Sequence, residues 1–263
     1  MTYEHLEYTL DAGIARITID RPKAFNALNL AAMKELLDVA NRAGSDAQVR
    51  VVVITGRGEK AFCAGGDVAA FAADPATVPV LLKEMTGYYH LAISRFAWMN
   101  APVIAAINGV AAGAGISLAA ACDLAIAADS ARFTSAYTAI GLTPDGSSTW
   151  YLPRLVGHRR AMELMLTNRT LSASEALDWG LVNSVVPAAE LTQTVDALAR
   201  KLADGPTLAH GGIKKLLMMS GNDTLESQME RETRSIAGLS QSADGLEGVK
   251  AFVEKRKAAF KGR

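Results

Sequence analysis

The chain has 263 residues, half of them hydrophobic and 21% charged, enough for one large folded body with a sizeable core. Lys plus Arg and Asp plus Glu each number 27, so the net charge is zero, and bulk charge argues against a nucleic-acid partner. Two cysteines, Cys63 and Cys122, are too few for a disulfide framework or a metal knuckle, so no metal is expected.

The first ten residues, MTYEHLEYTL, carry charges where a signal peptide needs an apolar run. The longest apolar region, 101–128, is broken by Asn108, by Gly109, Gly113 and Gly115, and by Asp123. No membrane association and a cytoplasmic location are therefore expected. Two runs flanking Asp11-Ala12-Gly13 read as a β-hairpin, with Ile14, Ile17 and Ile19 on its second arm. ALNLAAMKELLDVANRAG reads as an amphipathic helix presenting Leu30, Met33, Leu36, Leu37 and Ala40, and ending at Gly44. RVVVITG reads as a buried strand, LLKEMTGYYHLAISRFAWM as a helix, and APVIAAING as a second buried strand. VAAGAGISLAAA then reads as a small-residue helix start and CDLAIAA as a third strand. Strands alternating with helices predict an α/β fold with a parallel sheet. After about residue 148 the strand signal fades. The expected division is a β-rich body over 1–190 and a helical C-terminal region over 191–263, closing on a basic amphipathic segment.

Two glycine-rich turns, FCAGGDV at 62–68 and NGVAAGAGISL at 108–118, each follow a strand. Such turns leave backbone N–H groups exposed before a helix, where they stabilise negative charge. Two converging turns would make an oxyanion hole; the alternative is close packing of backbone in a compact sheet. GRGEKA at 56–61 fits a dinucleotide fingerprint, but no clean helix follows it. GISLA at 115–119 approaches a nucleophile elbow and keeps a Ser117 hydrolase open, with Asp145 and His158 or His210 completing it. AYTAIGLTPDG at 136–146 holds a single carboxylate, Asp145, inside a Pro-Asp-Gly turn signal. That carboxylate either shapes the turn or moves a proton.

The motifs IDRPKAFNALN (19–29), KAFCAGGDV (60–68), PVIAAINGVAAGAGISLA (102–119), GLTPDGSSTWYLPRLVG (141–157), LTNRTLSASEALDWGLVNSVV (166–186) and AFVEKRKAAF (251–260) occur in an order that resembles the crotonase, or enoyl-CoA hydratase/isomerase, superfamily over nearly the whole chain. The resemblance implies a crotonase (ClpP-like) fold of repeated ββα units with a helical C-terminal trimerisation region. It implies an acyl-CoA thioester substrate, with coenzyme A arriving as part of that substrate and no permanently bound cofactor. Homotrimers, or hexamers built from two trimers, are implied as well. The thioester oxygen would be held by the backbone N–H groups of Gly66 and Ala114. The CoA path would be lined by Arg21, Lys23, Ala24 and Phe25 and by Ala64, Gly65, Asp67 and Val68, with the Ala64 carbonyl on the adenine amino group. Phe252 and Lys255 would cover the adenine and phosphate end, from a neighbouring subunit.

The same resemblance narrows the reaction. Hydratases of the superfamily carry two glutamates at the positions that here hold Ser117 and Tyr137, and adding water to a double bond needs both a base and an acid. Asp145 falls where ring-epoxyphenylacetyl-CoA isomerase-like and 4-chlorobenzoyl-CoA dehalogenase-like members place a working carboxylate. His90, in YYHLAISRF, matches the water-activating histidine of the dehalogenases, but Gly66 and Tyr137 stand where those enzymes carry an aromatic residue and a tryptophan. The expectation is an isomerase-type reaction with Asp145 as acid and base and with His90, Gly66, Ala114 and Tyr137 at the reacting centre. A hydratase-like lyase, then a dehalogenase-like hydrolase, are the alternatives; a Ser117 hydrolase and a non-catalytic acyl-CoA binder are alternatives of another class. Ser117→Ala is expected to leave activity largely intact.

Overall fold

A computed structural model describes residues 3–69 and 76–263. The hairpin forms from β1 (Leu6–Asp11) and β2 (Ile14–Ile19), antiparallel with Asp11 opposite Ile14. Ala12 and Gly13 both take positive φ in the two-residue turn, whose twist matches that of the strands. Asn29 caps α1 (Leu30–Ser45) through its side chain. The helix continues one residue past Gly44, and it buries Met33, Leu36 and Ala40 as expected, together with Ala32, Val39 and Ala43.

Strands β3 (Val51–Gly56), β5 (Val103–Ile107), β7 (Leu124–Ala128) and β10 (Ser184–Val186) extend the hairpin into a six-stranded sheet of order β1-β2-β3-β5-β7-β10. All pairings beyond the hairpin are parallel. Both faces are covered, which is why these strands read as continuous apolar runs. On one face Val52, Ile54, Ala105 and Ile107 meet α1 and α2 (Val78–Trp98). On the other, Val51, Val53, Ile104 and Ile126 meet Leu191, Val195, Ala199 and Ala203 of a helix over Leu191–Ala203. The helix at which the C-terminal region was expected to begin thus packs on the back of the sheet.

A second sheet, of order β4-β6-β8-β9, consists of Ala61–Cys63, Val110–Ala112, Arg132–Thr134 and Leu171–Ser172. Its strands are two or three residues long, too short to show a period of two in the sequence. It corrects two expectations. Residues 110–112 are a strand, and α3 (Ala114–Ala121) starts only at Ala114. GRGEKA runs from the end of β3 into β4, so no helix follows it to bind a pyrophosphate. Long strand, short strand and helix recur as β3-β4-α2 and β5-β6-α3, and β7-β8 repeats the strand pair: these are the ββα units.

Short helices α4 (Ser148–Val156), α5 (His158–Thr167) and α6 (Ala173–Asp178) follow. After the Leu191–Ala203 helix, here α7, come α8 (Thr207–Ser220), α9 (Leu225–Ser240) and α10 (Ala243–Val253). An ion pair between the buried Lys214 and the partly accessible Asp123 bolts α8 to the body. Lys214 Nζ lies 2.6 Å from Asp123 Oδ2 and donates to the carbonyls of Phe96 and Ala101, while Asp123 also accepts from the Val103 N–H. Burial raises the Asp123 pKa and lowers that of Lys214, each against the pull of its partner. Removing one partner leaves an unpaired buried charge, so Asp123→Ala is expected to cost about 3–5 kcal/mol, read by denaturant unfolding. The apolar pair Asp123→Leu/Lys214→Met is expected to cost markedly less. An equal loss in the double variant would refute this account.

Candidate active site

The first glycine turn is fixed from the side by residues 21–29. Leu28 donates to the Gly65 carbonyl at 2.7 Å and accepts from the Asp67 N–H at 2.9 Å. Asn26, fully buried, makes the loop rigid: its side chain accepts from the Arg21 N–H and donates to the Arg57 and Ala61 carbonyls. Arg21 reaches across to Asp67 at 2.8 Å and to the Ala27 carbonyl. These contacts occupy the amides around Gly66, but the Gly66 N–H has no acceptor among the described residues.

The second turn is the step from β6 into α3. Gly113, at φ 52° and ψ −121°, lies where side-chain-bearing residues are strained, and it aims the first turn of α3. The Ala114 N–H, at that helix start, also lacks an acceptor among the described residues. Tyr89 Oη, from α2, donates to the Ala114 carbonyl and fixes the next peptide, between Ala114 and Gly115; burial holds the Tyr89 pKa far above the usual tyrosine range. Gly66 and Ala114 face one cavity of about 450 Å³. Two unsatisfied N–H groups on rigid backbone, one of them at a positive helix end, are the donor pair an oxyanion needs.

Asp145 lines the same cavity. Its carbonyl accepts from the N–H and hydroxyl of Ser148, and Gly146 and Ser147 follow at φ 60° and 66°, so the residue does shape a turn. Its carboxylate is separately engaged: Tyr137 Oη donates to Oδ1 at 2.5 Å. Burial, then the Asp145 charge, raises the Tyr137 pKa well above the usual value, so Tyr137 keeps its proton. No described residue hydrogen-bonds Oδ2. His90 Nε2 accepts from the Gly146 N–H at 3.1 Å, which places the hydrogen of the neutral ring on Nδ1. The His90 side chain touches the Asp145 turn but does not line the cavity.

Of the expected CoA-path residues, Ala64, Gly65 and Val68 line the cavity. Arg21 and Asp67 pair with each other and brace the turn. Lys23 and Ala24 lie on a single 3-10 turn beside Phe25, which is half exposed. Phe252, on α10, is 85% exposed, and neither it nor Lys255 reaches the cavity within one chain. Ser117 sits in mid-helix, fully buried, with its hydroxyl held by neighbours, so the exposed strand-to-helix elbow of a serine hydrolase is not formed there. The reading of single motifs missed Met33, Leu82 and Met85 as cavity lining and Tyr89 as the lock on α3. Helical spacing marks these residues only as inward-facing.

The model of the family described as enoyl-CoA hydratase/isomerase matches residues 9–263. A probable enoyl-CoA hydratase of Rhodobacter capsulatus is 42% identical over 263 residues, covering all of both chains. The 1,2-epoxyphenylacetyl-CoA isomerase of Escherichia coli is 39% identical over 257 residues, 97% of each chain. The crystal structure of an enoyl-CoA hydratase from Bacillus anthracis superposes with a TM-score of 0.92 at 34% identity, covering 99% of this chain and all of the other. With the ββα units, the paired donor turns and a match over nearly its full length, the chain is an enzyme of the enoyl-CoA hydratase/isomerase family, with the crotonase fold.

Proposed function

We propose that the protein isomerises an enoyl-CoA through a thioester enolate, with Asp145 as its single acid and base. The observation that carries this reading is that Asp145 is the only carboxylate lining the cavity among the described residues. In the first step Asp145 takes a proton from the α-carbon of a 3-enoyl thioester. The C–H electron pair passes into the enolate, whose oxygen meets the Gly66 and Ala114 N–H groups. In the second step the Asp145 carboxyl, whose proton exchanges with solvent, gives a proton to the γ-carbon and the double bond moves into conjugation. No electrons leave the substrate, so the chemistry needs no resident cofactor. A free carboxylate removes so weakly acidic a proton slowly; each donor of the pair contributes about 3 kcal/mol.

Hydration of crotonyl-CoA needs a second acid, and Ser117 and Tyr137 do not supply one. It is expected to run orders of magnitude below a typical turnover of about 10 per second. Met33, Leu82, Met85, Ile140 and Leu142 make much of the cavity wall apolar, which supports a hydrocarbon acyl group. Lys23, Ala24 and Phe25 are proposed to carry CoA together with Ala64, whose N–H bonds the Phe25 carbonyl. Exposed Leu225, Ile236, Leu246 and Phe252 on α9 and α10 support the proposed homotrimer or hexamer, in which Phe252 and Lys255 would serve a neighbour's site.

The test is trans-3-hexenoyl-CoA in deuterium oxide. The expected result is the 2-enoyl product with deuterium at the α- or γ-carbon. No isomerisation, together with brisk hydration of crotonyl-CoA, would overturn the proposal.

A further inference from the structure

Ser117 Oγ has three oxygen neighbours: the Gly113 carbonyl at 3.1 Å, the Asp145 carbonyl at 3.1 Å and Tyr137 Oη at 3.3 Å. A serine hydroxyl has one hydrogen to give. Counting donors decides where it is needed. The Asp145 carbonyl already accepts from the N–H and the hydroxyl of Ser148. The Gly113 carbonyl already accepts from the Ser117 N–H at 3.2 Å. Tyr137 Oη spends its hydrogen on Asp145 Oδ1, and the donors that face it are the Ser117 hydroxyl and the Asp145 backbone N–H. Both carbonyls keep their donors without the Ser117 hydrogen, so placing it on Tyr137 Oη gives the phenol its side-chain donor at no loss to either carbonyl.

The geometry points to Ser117 as a positioning residue for the proton transfer. Its hydroxyl donates to Tyr137 Oη, holds the phenol in place and polarises its O–H toward Asp145 Oδ1, so that Oδ2 stays free for the substrate proton. Hydrogen bonds in a chain strengthen one another, and more so where water is excluded. Ser117 is fully buried and Tyr137 keeps its proton, so the chain keeps its direction while Asp145 gains and loses one. The anchor lies on α3, the helix that presents the Ala114 N–H. The enolate donor and the base are thereby referred to one rigid element. Gly146 closes the packing, since a Cβ there would come within 2.9 Å of Ser117 Cβ and 2.4 Å of the Tyr89 ring.

This inference rests on the reading of Asp145 as the base, and the experiment separates the two. The probe is phenylacetyl-CoA in deuterium oxide, with α-proton exchange followed by mass spectrometry against pH and affinity measured by calorimetry. The titratable groups facing the Asp145 turn are Tyr137, Tyr89 and His90; the Tyr89 phenol is engaged with the Ala114 carbonyl and His90 Nε2 with the Gly146 N–H. The sequence alone predicts a largely intact Ser117→Ala enzyme; the hydrogen-bond chain predicts instead that Ser117→Ala slows exchange roughly tenfold, the scale of one buried hydrogen bond, with affinity changed less than about twofold. The acid limb of the rate profile is expected to move to higher pH, because the hydrogen bond favouring the ionised carboxylate is weakened. Tyr137→Phe should do the same more strongly, and adding Ser117→Ala to it should cost nothing further. Ser117→Cys, of similar size with a poorer donor, should fall between wild type and alanine. Effects of Ser117→Ala and Tyr137→Phe that multiply, or a Ser117→Ala profile with an unmoved acid limb, would overturn the inference. If Asp145→Asn itself exchanges at the wild-type rate, the base assignment has failed instead.

Discussion

Asp145→Asn is expected to retain the fold and the affinity for acyl-CoA and to lower turnover at least about a hundredfold, as when a general base is lost. Asparagine serves a turn as well as aspartate does, and the backbone contacts of residue 145 run through its carbonyl, which the substitution leaves in place. The amide still accepts from Tyr137 at its oxygen but has no basic atom to receive a proton. Near wild-type turnover on the authentic substrate would reduce Asp145 to a turn residue. His90 distinguishes the chemistry further. It bonds a backbone N–H beside the turn and does not line the cavity, so His90→Ala is expected to cost far less than Asp145→Asn. A covalent adduct on Asp145, seen as added mass on the intact His90→Ala protein, would point instead to nucleophilic chemistry of the dehalogenase kind.

What the sequence made legible follows physical strength. The central strands of the large sheet are buried on both faces, so VVVIT, VIAAI and LAIAA announce themselves by composition alone. The amphipathic α1 is equally plain. The second sheet was not legible, because Ala61–Cys63 and Val110–Ala112 are too short to carry a period. The same holds at the site. The glycine turns showed where backbone N–H groups would stand, and Pro-Asp-Gly drew attention to Asp145. Nothing local could reveal that Ser117, two residues into a decoy elbow motif, would meet a tyrosine twenty positions on and a carbonyl twenty-eight on. Contacts of that kind are set by how the segment 137–147 packs against α3. The pairing of Asp123 with Lys214 and the hub role of Asn26 are equally non-local.

Gly115→Ala is expected to damage activity and stability together, because the two donor turns touch at this residue. A Cβ at Gly115 would lie 1.9 Å from the Cys63 carbonyl oxygen, backbone that cannot swing aside, and 2.9 Å from Cys63 Cβ. Cys63 directly precedes Ala64-Gly65-Gly66, and Gly115 directly follows Ala114. One methyl group would therefore push apart the strand end carrying the Gly66 N–H and the helix start carrying the Ala114 N–H. Overpacking of this sort costs about 1–3 kcal/mol. Misplacing one oxyanion donor costs about 10²–10³ in rate. The expected result is a lowered unfolding midpoint together with loss of phenylacetyl-CoA exchange of about that size, while Asp145, Tyr137 and Ser117 remain present. Gly87→Ala is the control: this glycine lies on the exposed face of α2 with nothing within 4 Å of its virtual Cβ, so alanine there should stabilise the helix by up to about 1 kcal/mol and leave exchange unchanged. If Gly115→Ala lowers stability but exchanges at the wild-type rate, the spacing of the two turns is not what sets the enolate's stabilisation, and the burden shifts to the Asp145–Tyr137–Ser117 chain.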